Sequence, residues 1–189
     1  CMTWNLIENR CVKTFAEHQP TFTCVRVMRD GRRIITGGED GSIVMWDGVD
    51  GRRIREIVPR SSGRPVRSLT LTPEEDQLLV GTYSLLEVWS LDDGQKSGHI
   101  EFQCGDIYGV VLLPDGTTAA VASELMGLTV VDIKKQAVFR RPLWGKSCVK
   151  ALALARKARR VVSASEEGEV IVWDISSWSG VLHICASVV

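Results

Sequence analysis

No run in the chain approaches the roughly 18–20 apolar residues needed to cross a membrane as a helix. The most apolar stretch, Gly180 to Val189, is too short. No secretory signal pattern stands at the start, although the first residue is Cys1 rather than Met, so the reading expects that the true start lies upstream. Net charge is also missing: 23 Lys+Arg balance 23 Asp+Glu. That argues against a strongly electrostatic partner for the chain as a whole, while leaving local patches open. The cysteines (Cys1, Cys11, Cys24, Cys104, Cys148 and Cys185) form no CxxC pair, and neither Asn5 nor Asn9 begins a glycosylation acceptor. They read as small apolar residues in a reducing compartment, the cytoplasm or the nucleus, rather than as a disulfide framework.

Chemical motifs are absent too. Gly145-Lys-Ser147 imitates the end of a phosphate-binding loop, but Arg140 stands where its first glycine belongs and no helical pattern follows. Gly37-Gly-Glu-Asp-Gly41 lies between two strand-like runs and reads as a hairpin turn. There is no GxSxG elbow. His18, His99 and His183 show no metal-ligand spacing; His183 and Cys185 are the one near pair, read as part of an ordinary strand. A hydrolase or lactonase would need ligands converging on one site, and no such set is legible. The expectation is no catalytic residue, no metal and no cofactor.

What the chain does have is a repeat. Trp4, Trp46, Trp89 and Trp173 are separated by 42, 43 and 84 residues. The vacant lattice point, 131, holds Val131. Each period reads as four short strands divided by turn residues: Thr23–Met28, Arg33–Gly37, Ser42–Trp46 and Arg53–Val58 in the first full period. Pro73-Glu-Glu-Asp76, Pro114-Asp-Gly116 and Arg156-Lys-Ala-Arg159 punctuate the others at the matching place. No amphipathic helix fits anywhere. The fold class expected is all-β.

Two segments carry a resemblance: Ile34-Ile-Thr-Gly-Gly-Glu-Asp-Gly-Ser-Ile-Val-Met-Trp-Asp47 and Val161-Val-Ser-Ala-Ser-Glu-Glu-Gly-Glu-Val-Ile-Val-Trp-Asp174. Period, turn chemistry and the terminal Trp-Asp together resemble the WD40-repeat β-propellers. The resemblance covers almost the whole chain and implies a propeller segment of four-stranded antiparallel blades. The units are 1–15 (a half blade supplying its last two strands), 16–58, 59–100, 101–140, and 141–189 with the C-terminal tail. Four and a half blades read as a segment of a larger propeller, with a compact four-blade ring as the alternative.

The resemblance also implies a buried hydrogen-bond relay of His18, Thr36, Asp40 and Trp46, with Ser163 and Trp173 as its remnant in the last unit. Glu17 departs from the usual Gly before His18, and Glu167 and Gly145 replace the Asp and His of the last unit. In the middle units Tyr83-Ser84 is a shortened turn, and Leu125 and Val131 replace Asp and Trp. Those blades must rely on packing.

The resemblance implies binding of other proteins or peptides through loop faces, and with no catalytic set legible the function expected is a non-enzymatic protein-interaction scaffold. The Trp-Asp-x-Arg signature of some ubiquitin-ligase adaptors is absent. In a four-strand meander, the turns after strands two carry Glu39, Tyr83, Leu125, Met126 and Glu166 to one face, with Trp144 on an entry loop there. Trp144 lies off the lattice; anchoring a partner and packing over an inter-blade gap both account for it. The opposite face collects Lys134, Lys135, Arg156, Lys157, Arg159 and Arg160, part of a stretch from Lys134 to Arg160 with ten basic residues and no acidic one. Two readings stand for this patch. It is solvated turns with paired charges, or it binds RNA or another acidic partner, although no aromatics interleave with it for base stacking.

Overall fold

Short β-rich runs closed by Asp- and Gly-containing turns leave the backbone one economical solution, the antiparallel meander. The computed structural model describes residues 2–5, 7–14, 21–58, 63–140, 148–155, 157 and 159–185. All regular elements among them are strands. No helix there is long and apolar enough to cross a membrane.

Strands β1 (Met2–Asn5) and β2 (Arg10–Thr14) form a hairpin. Blade one is β3 (Phe22–Val27), β4 (Arg33–Gly38), β5 (Ile43–Asp47) and β6 (Arg53–Val58), paired in chain order. Blade two begins with β7 (Ser68–Leu71), β8 (Gln77–Gly81) and β9 (Tyr83–Ser90). Then comes β10 (Lys96–Leu112), a single strand of 17 residues. Its first half pairs with β9 through Lys96–Glu101. Its second half pairs with β11 (Thr118–Ser123) through Ile107–Leu112, and so opens blade three. Blade three is completed by β12 (Gly127–Asp132) and β13 (Ala137–Arg140). Blade four is β14 (Val149–Ala155), β15 (Arg160–Ser165), β16 (Glu169–Asp174) and β17 (Gly180–Cys185).

The sequence places a unit boundary at residues 100 and 101. The structure runs straight through that point, because Phe102 and Cys104 are buried in the apolar core between blades two and three and keep the backbone extended. Alternation along the strands sends one set of side chains to each neighbouring blade. Met28, Ile35, Met45 and Ile57 meet Val66, Leu69 and Leu78 between blades one and two. Ala120, Leu128 and Val130 meet Val161, Ile171 and Trp173 between blades three and four. Gly37 and Gly81 lie in the last two positions of second strands, where the next blade comes close. A Cβ would lie 2.6 Å from Val66 Cγ1 at Gly37 and 2.7 Å from Ile107 Cγ2 at Gly81. Among the described residues the far face of blade four has no such neighbour, and Leu182 and Ile184 are both 52% exposed.

A second lattice runs through the third-to-fourth turns. Asn9, Gly51, Gly94, Gln136 and Trp178 all have positive φ, between 48° and 75°. The turn geometry therefore repeats whether or not glycine is there to make it easy.

Candidate functional site

Two recurring backbone hydrogen bonds assign the loops to faces. In every blade the turn after strand three donates to the turn after strand one: Gly48 N to Arg32 O, Leu91 N to Asp76 O, Ile133 N to Thr117 O and Ile175 N to Arg159 O, at 2.6–3.1 Å. On the other side, the turn after strand two donates back to the start of strand one. Glu39 N reaches Thr21 O, Glu124 N reaches Asp106 O and Glu166 N reaches Cys148 O, at 2.9–3.0 Å. Glu39, Tyr83, Leu125, Met126 and Glu166 thus lie on one face, and Lys134, Lys135, Lys157, Arg159 and Arg160 on the opposite one. His18, Trp144 and Arg156 lie outside the described residues.

The innermost strands β3, β7, β10 and β14 pack side by side in that order. Between them opens a cavity of about 350 Å³, lined by residues that include Thr23, Arg26, Arg67, Ser68, Tyr108 and Lys150. A smaller one of about 160 Å³ continues toward the opposite face past Thr70 and Leu154. Arg67 pairs with Asp106 at 3.2 Å, joining blades two and three. The Lys150 ammonium sits 4.0 Å over the ring of Tyr108 and 3.3 Å from Glu166. Tyr108 is the largest influence raising the Lys150 pKa; burial opposes it, and Cys148 and Glu166 add to it. The Glu166 carboxyl is held low by hydrogen bonds from Cys148 and Lys150. Burial pushes the Cys148 thiol up.

In the turns of this face the candidates differ. Tyr83 is 56% and Leu125 66% exposed, whereas Met126 packs onto the core between blades two and three. Glu39 is exposed. Arg67, Asp106, Tyr108 and Lys150 escape a reading of the sequence alone, because they come from three different blades, Arg67 just before β7 and the others inside β10 and β14. Only the packing of those strands brings them together.

On the opposite face, most basic residues of blade one have carboxylate partners close by. Arg32 pairs with Asp47 at 2.9 Å, Arg33 with Asp30 at 2.6 Å, Arg52 with Asp50 at 3.3 Å, and Arg53 with Glu56. Lys135 pairs with Asp132 at 3.6 Å. Lys134, Lys157, Arg159 and Arg160 have no ion pair among the described residues and are exposed. The aspartates here organise turns. Asp30 Oδ1 accepts from the Arg32 and Arg33 amides at 2.8 and 2.9 Å, which with the Arg33 guanidinium lowers its pKa to about 2. Asp47 and Asp174, each following a lattice Trp, accept from Val49 N and Ser176 N at 2.9 Å and are held low by such bonds.

Inside the blades, Trp46 Nε1 donates to Thr36 Oγ1 at 2.8 Å, and Trp173 Nε1 to Ser163 Oγ at 2.9 Å. Asp40 Oδ1 accepts from Ser42 N at 3.0 Å and Ser42 Oγ at 2.6 Å. In blade two Leu79 takes the place of Thr36, and Trp89 turns its N–H to Glu87 on its own strand at 3.0 Å.

Residues 9–47 match the family model described as WD domain, G-beta repeat. The chain is 26% identical over 181 residues to Periodic tryptophan protein 2 of Arabidopsis thaliana, covering 90% of this chain and 19% of that protein. It is 23% identical over 175 residues to Cilia- and flagella-associated protein 52 of Mus musculus, covering 92% of this chain and 27% of that one. Over 79 residues, 42% of this chain, it is 30% identical to Small ribosomal subunit protein RACK1 of Medicago sativa, 23% of whose length is covered. The chain therefore spans between 19% and 27% of the length of these relatives.

Proposed function

Because this chain is a WD40-repeat protein built of four-stranded antiparallel blades, we propose that it is a non-enzymatic scaffold, mediating protein–protein interactions in multiprotein complexes. The partner docks on the face that carries Glu39, Tyr83, Leu125, Met126 and Glu166, with Trp144 contributing from its loop. The observation that carries this reading is the cavity among the innermost strands, where four blades contribute Arg26, Arg67, Tyr108 and Lys150 to one concave mouth, with Tyr83 and Leu125 exposed in the turns of the same face. Concave sites with a few convergent polar groups and aromatic rims are where binding energy concentrates.

In this reading the Trp46–Thr36 and Trp173–Ser163 pairs, with His18 and Asp40, hold the blades in shape and take no part in chemistry. The repeat units are 16–58, 59–100, 101–140 and 141–189, preceded by the half unit 1–15, and the compartment is the cytoplasm or nucleus. The test is quantitative co-purification of tagged full chain from cells. A Tyr83→Ala/Leu125→Ser variant is compared with a Lys134→Glu/Lys157→Glu variant on the other face. Loss of the same partners only in the first supports this reading; equal recovery in both overturns it.

A second reading has its own observation. Lys134, Lys157, Arg159 and Arg160 come from adjacent blades to one face without ion pairs among the described residues, with Lys135 beside them and Arg156 in the same loop. One relative is named as a small ribosomal subunit protein. An RNA- or ribonucleoprotein-associated role would use this face. RNA affinity that falls steeply with salt and is reduced by Lys134→Glu/Lys157→Glu supports it, since phosphate contacts release counterions. Salt-insensitive or unaltered binding rejects it.

A further inference from the structure

Strands β16 and β17 bring together three side chains that are far from obvious as a set in the sequence. Glu169 and Cys185 are directly paired, and His183 is paired with Ile171. Side chains two residues apart on a strand share a face, and paired residues share it across strands. Glu169, His183 and Cys185 therefore project from the same face, the one on which Ile171 and Trp173 pack toward blade three. A bulge between Val172 and Trp173 sets this register. Without it Glu169 would stand opposite Ile184, and His183 and Cys185 would point to the other face.

Their donor atoms are close. His183 Nε2 lies 3.2 Å from Glu169 Oε1 and 3.6 Å from Cys185 Sγ, and all three donors fall within 4.8 Å of one another. Tetrahedral zinc takes sulfur at about 2.3 Å and nitrogen or oxygen at about 2.0–2.2 Å, which places neighbouring donors about 3.3–3.6 Å apart. The two closest spacings already match those edges. The set also mixes thiolate, imidazole and carboxylate, which favours zinc over the harder magnesium or calcium.

We propose that Glu169, His183 and Cys185 form a surface site for a thiophilic divalent cation, zinc foremost, that clasps the outermost strand of blade four to its neighbour. Every residue of β17 is exposed, and its ladder with β16 is its main attachment. A cation bridging the two strands adds a second attachment. On binding, the Cys185 thiol releases its proton to solvent and the thiolate ligates, while the fourth position remains for water or a partner's side chain.

The test is a zinc titration of the full chain in competition with a chromophoric chelator. It is repeated for Cys185→Ser, His183→Gln and Glu169→Gln, and for Cys11→Ser, whose exposed thiol lies elsewhere. The expected result is one zinc per chain, bound at least about tenfold more weakly by Cys185→Ser, His183→Gln and Glu169→Gln and unchanged in Cys11→Ser. With cobalt, the sulfur-to-metal absorption band disappears in Cys185→Ser alone. Zinc also raises the thermal midpoint of the wild type and of Cys11→Ser, and not of the three site variants. Absence of stoichiometric binding, or equal affinity in Cys185→Ser and wild type, overturns the proposal. If Cys185→Ser fails to fold, His183→Gln and Glu169→Gln decide on the same criteria.

Discussion

The indole N–H of Trp46 donates to the hydroxyl of Thr36 across the β4–β5 ladder at 2.8 Å, and both side chains are 1% exposed. A buried donor left without its acceptor loses its hydration with no compensation, at about 1–3 kcal/mol. Thr36→Val should therefore destabilise the chain by that amount in urea unfolding. Trp46→Ala should cost about 3–5 kcal/mol, as expected for emptying a large core site. In a Trp46→Phe/Thr36→Val double variant the losses should fall short of their sum, because both remove the same bond. Full additivity would show that the bond contributes nothing.

The left-handed turn lattice makes opposite predictions at two equivalent places. Gln136 has φ of 51° with a side chain that pays for it, so Gln136→Gly should stabilise by about 0.5–1 kcal/mol. Gly94 has φ of 72° and its nearest heavy atom, Ile57 O, would lie 3.9 Å from an added Cβ. Space is open there, so Gly94→Ala should lose about 1–2 kcal/mol from backbone conformation alone. Chemical denaturation of the two variants side by side checks both signs.

Acid should unfold the chain partly through its turn aspartates. The Asp30 pKa of about 2 lies below the ordinary carboxylate value of about 4 in an unfolded chain. A depressed folded pKa contributes stability above the unfolded value and loses it as pH falls through the folded one. The Asp30 contribution is therefore complete above about pH 4 and gone near pH 2. Asp30→Asn should flatten the stability curve across that window. An unchanged acid limb would assign it to other groups, with Asp47, Asp115 and Asp174 next in line, since all three are also held low.

Tyr83→Ala should leave stability within about 0.5 kcal/mol, as expected for an exposed side chain away from caps and core. Its effect should appear in partner recovery instead. A large drop in thermal midpoint would mark Tyr83 as a packing residue of the β8–β9 turn.

The repeat was legible because tryptophan at a fixed step is rare by chance, and because Asp-Gly turns punctuate each unit in phase. Strand limits followed within a residue or two, as at Arg53–Val58. The division of charged turns between two faces also followed from meander geometry. What the sequence could not disclose was register. Whether Glu169 faces Cys185 depends on one bulged residue in β17, and no composition cue marks a bulge between Val172 and Trp173. The same holds for Lys150 over Tyr108, since 42 positions of chain separate residues that only inter-blade packing makes neighbours. The unbroken β10 was hidden for a different reason. Gly105 kinks it at φ 69°, yet buried Ile100, Phe102 and Cys104 keep the stretch before that kink extended and in the sheet.

That unbroken strand bears on how the array comes apart. Stacked repeats behave approximately as a linear series in which each unit answers only to its neighbours. A strand that belongs to two units couples them through one hydrogen-bonded sheet as well as through apolar contact. Among the described residues, blades two and three also lack a buried Trp-to-hydroxyl bond of the kind found in blades one and four. Under native-state hydrogen exchange, the amides of Leu79, Val88, Val110 and Val121 should open together with one free energy, while blades one and four open independently. The middle of the array is thus a single cooperative unit two blades wide.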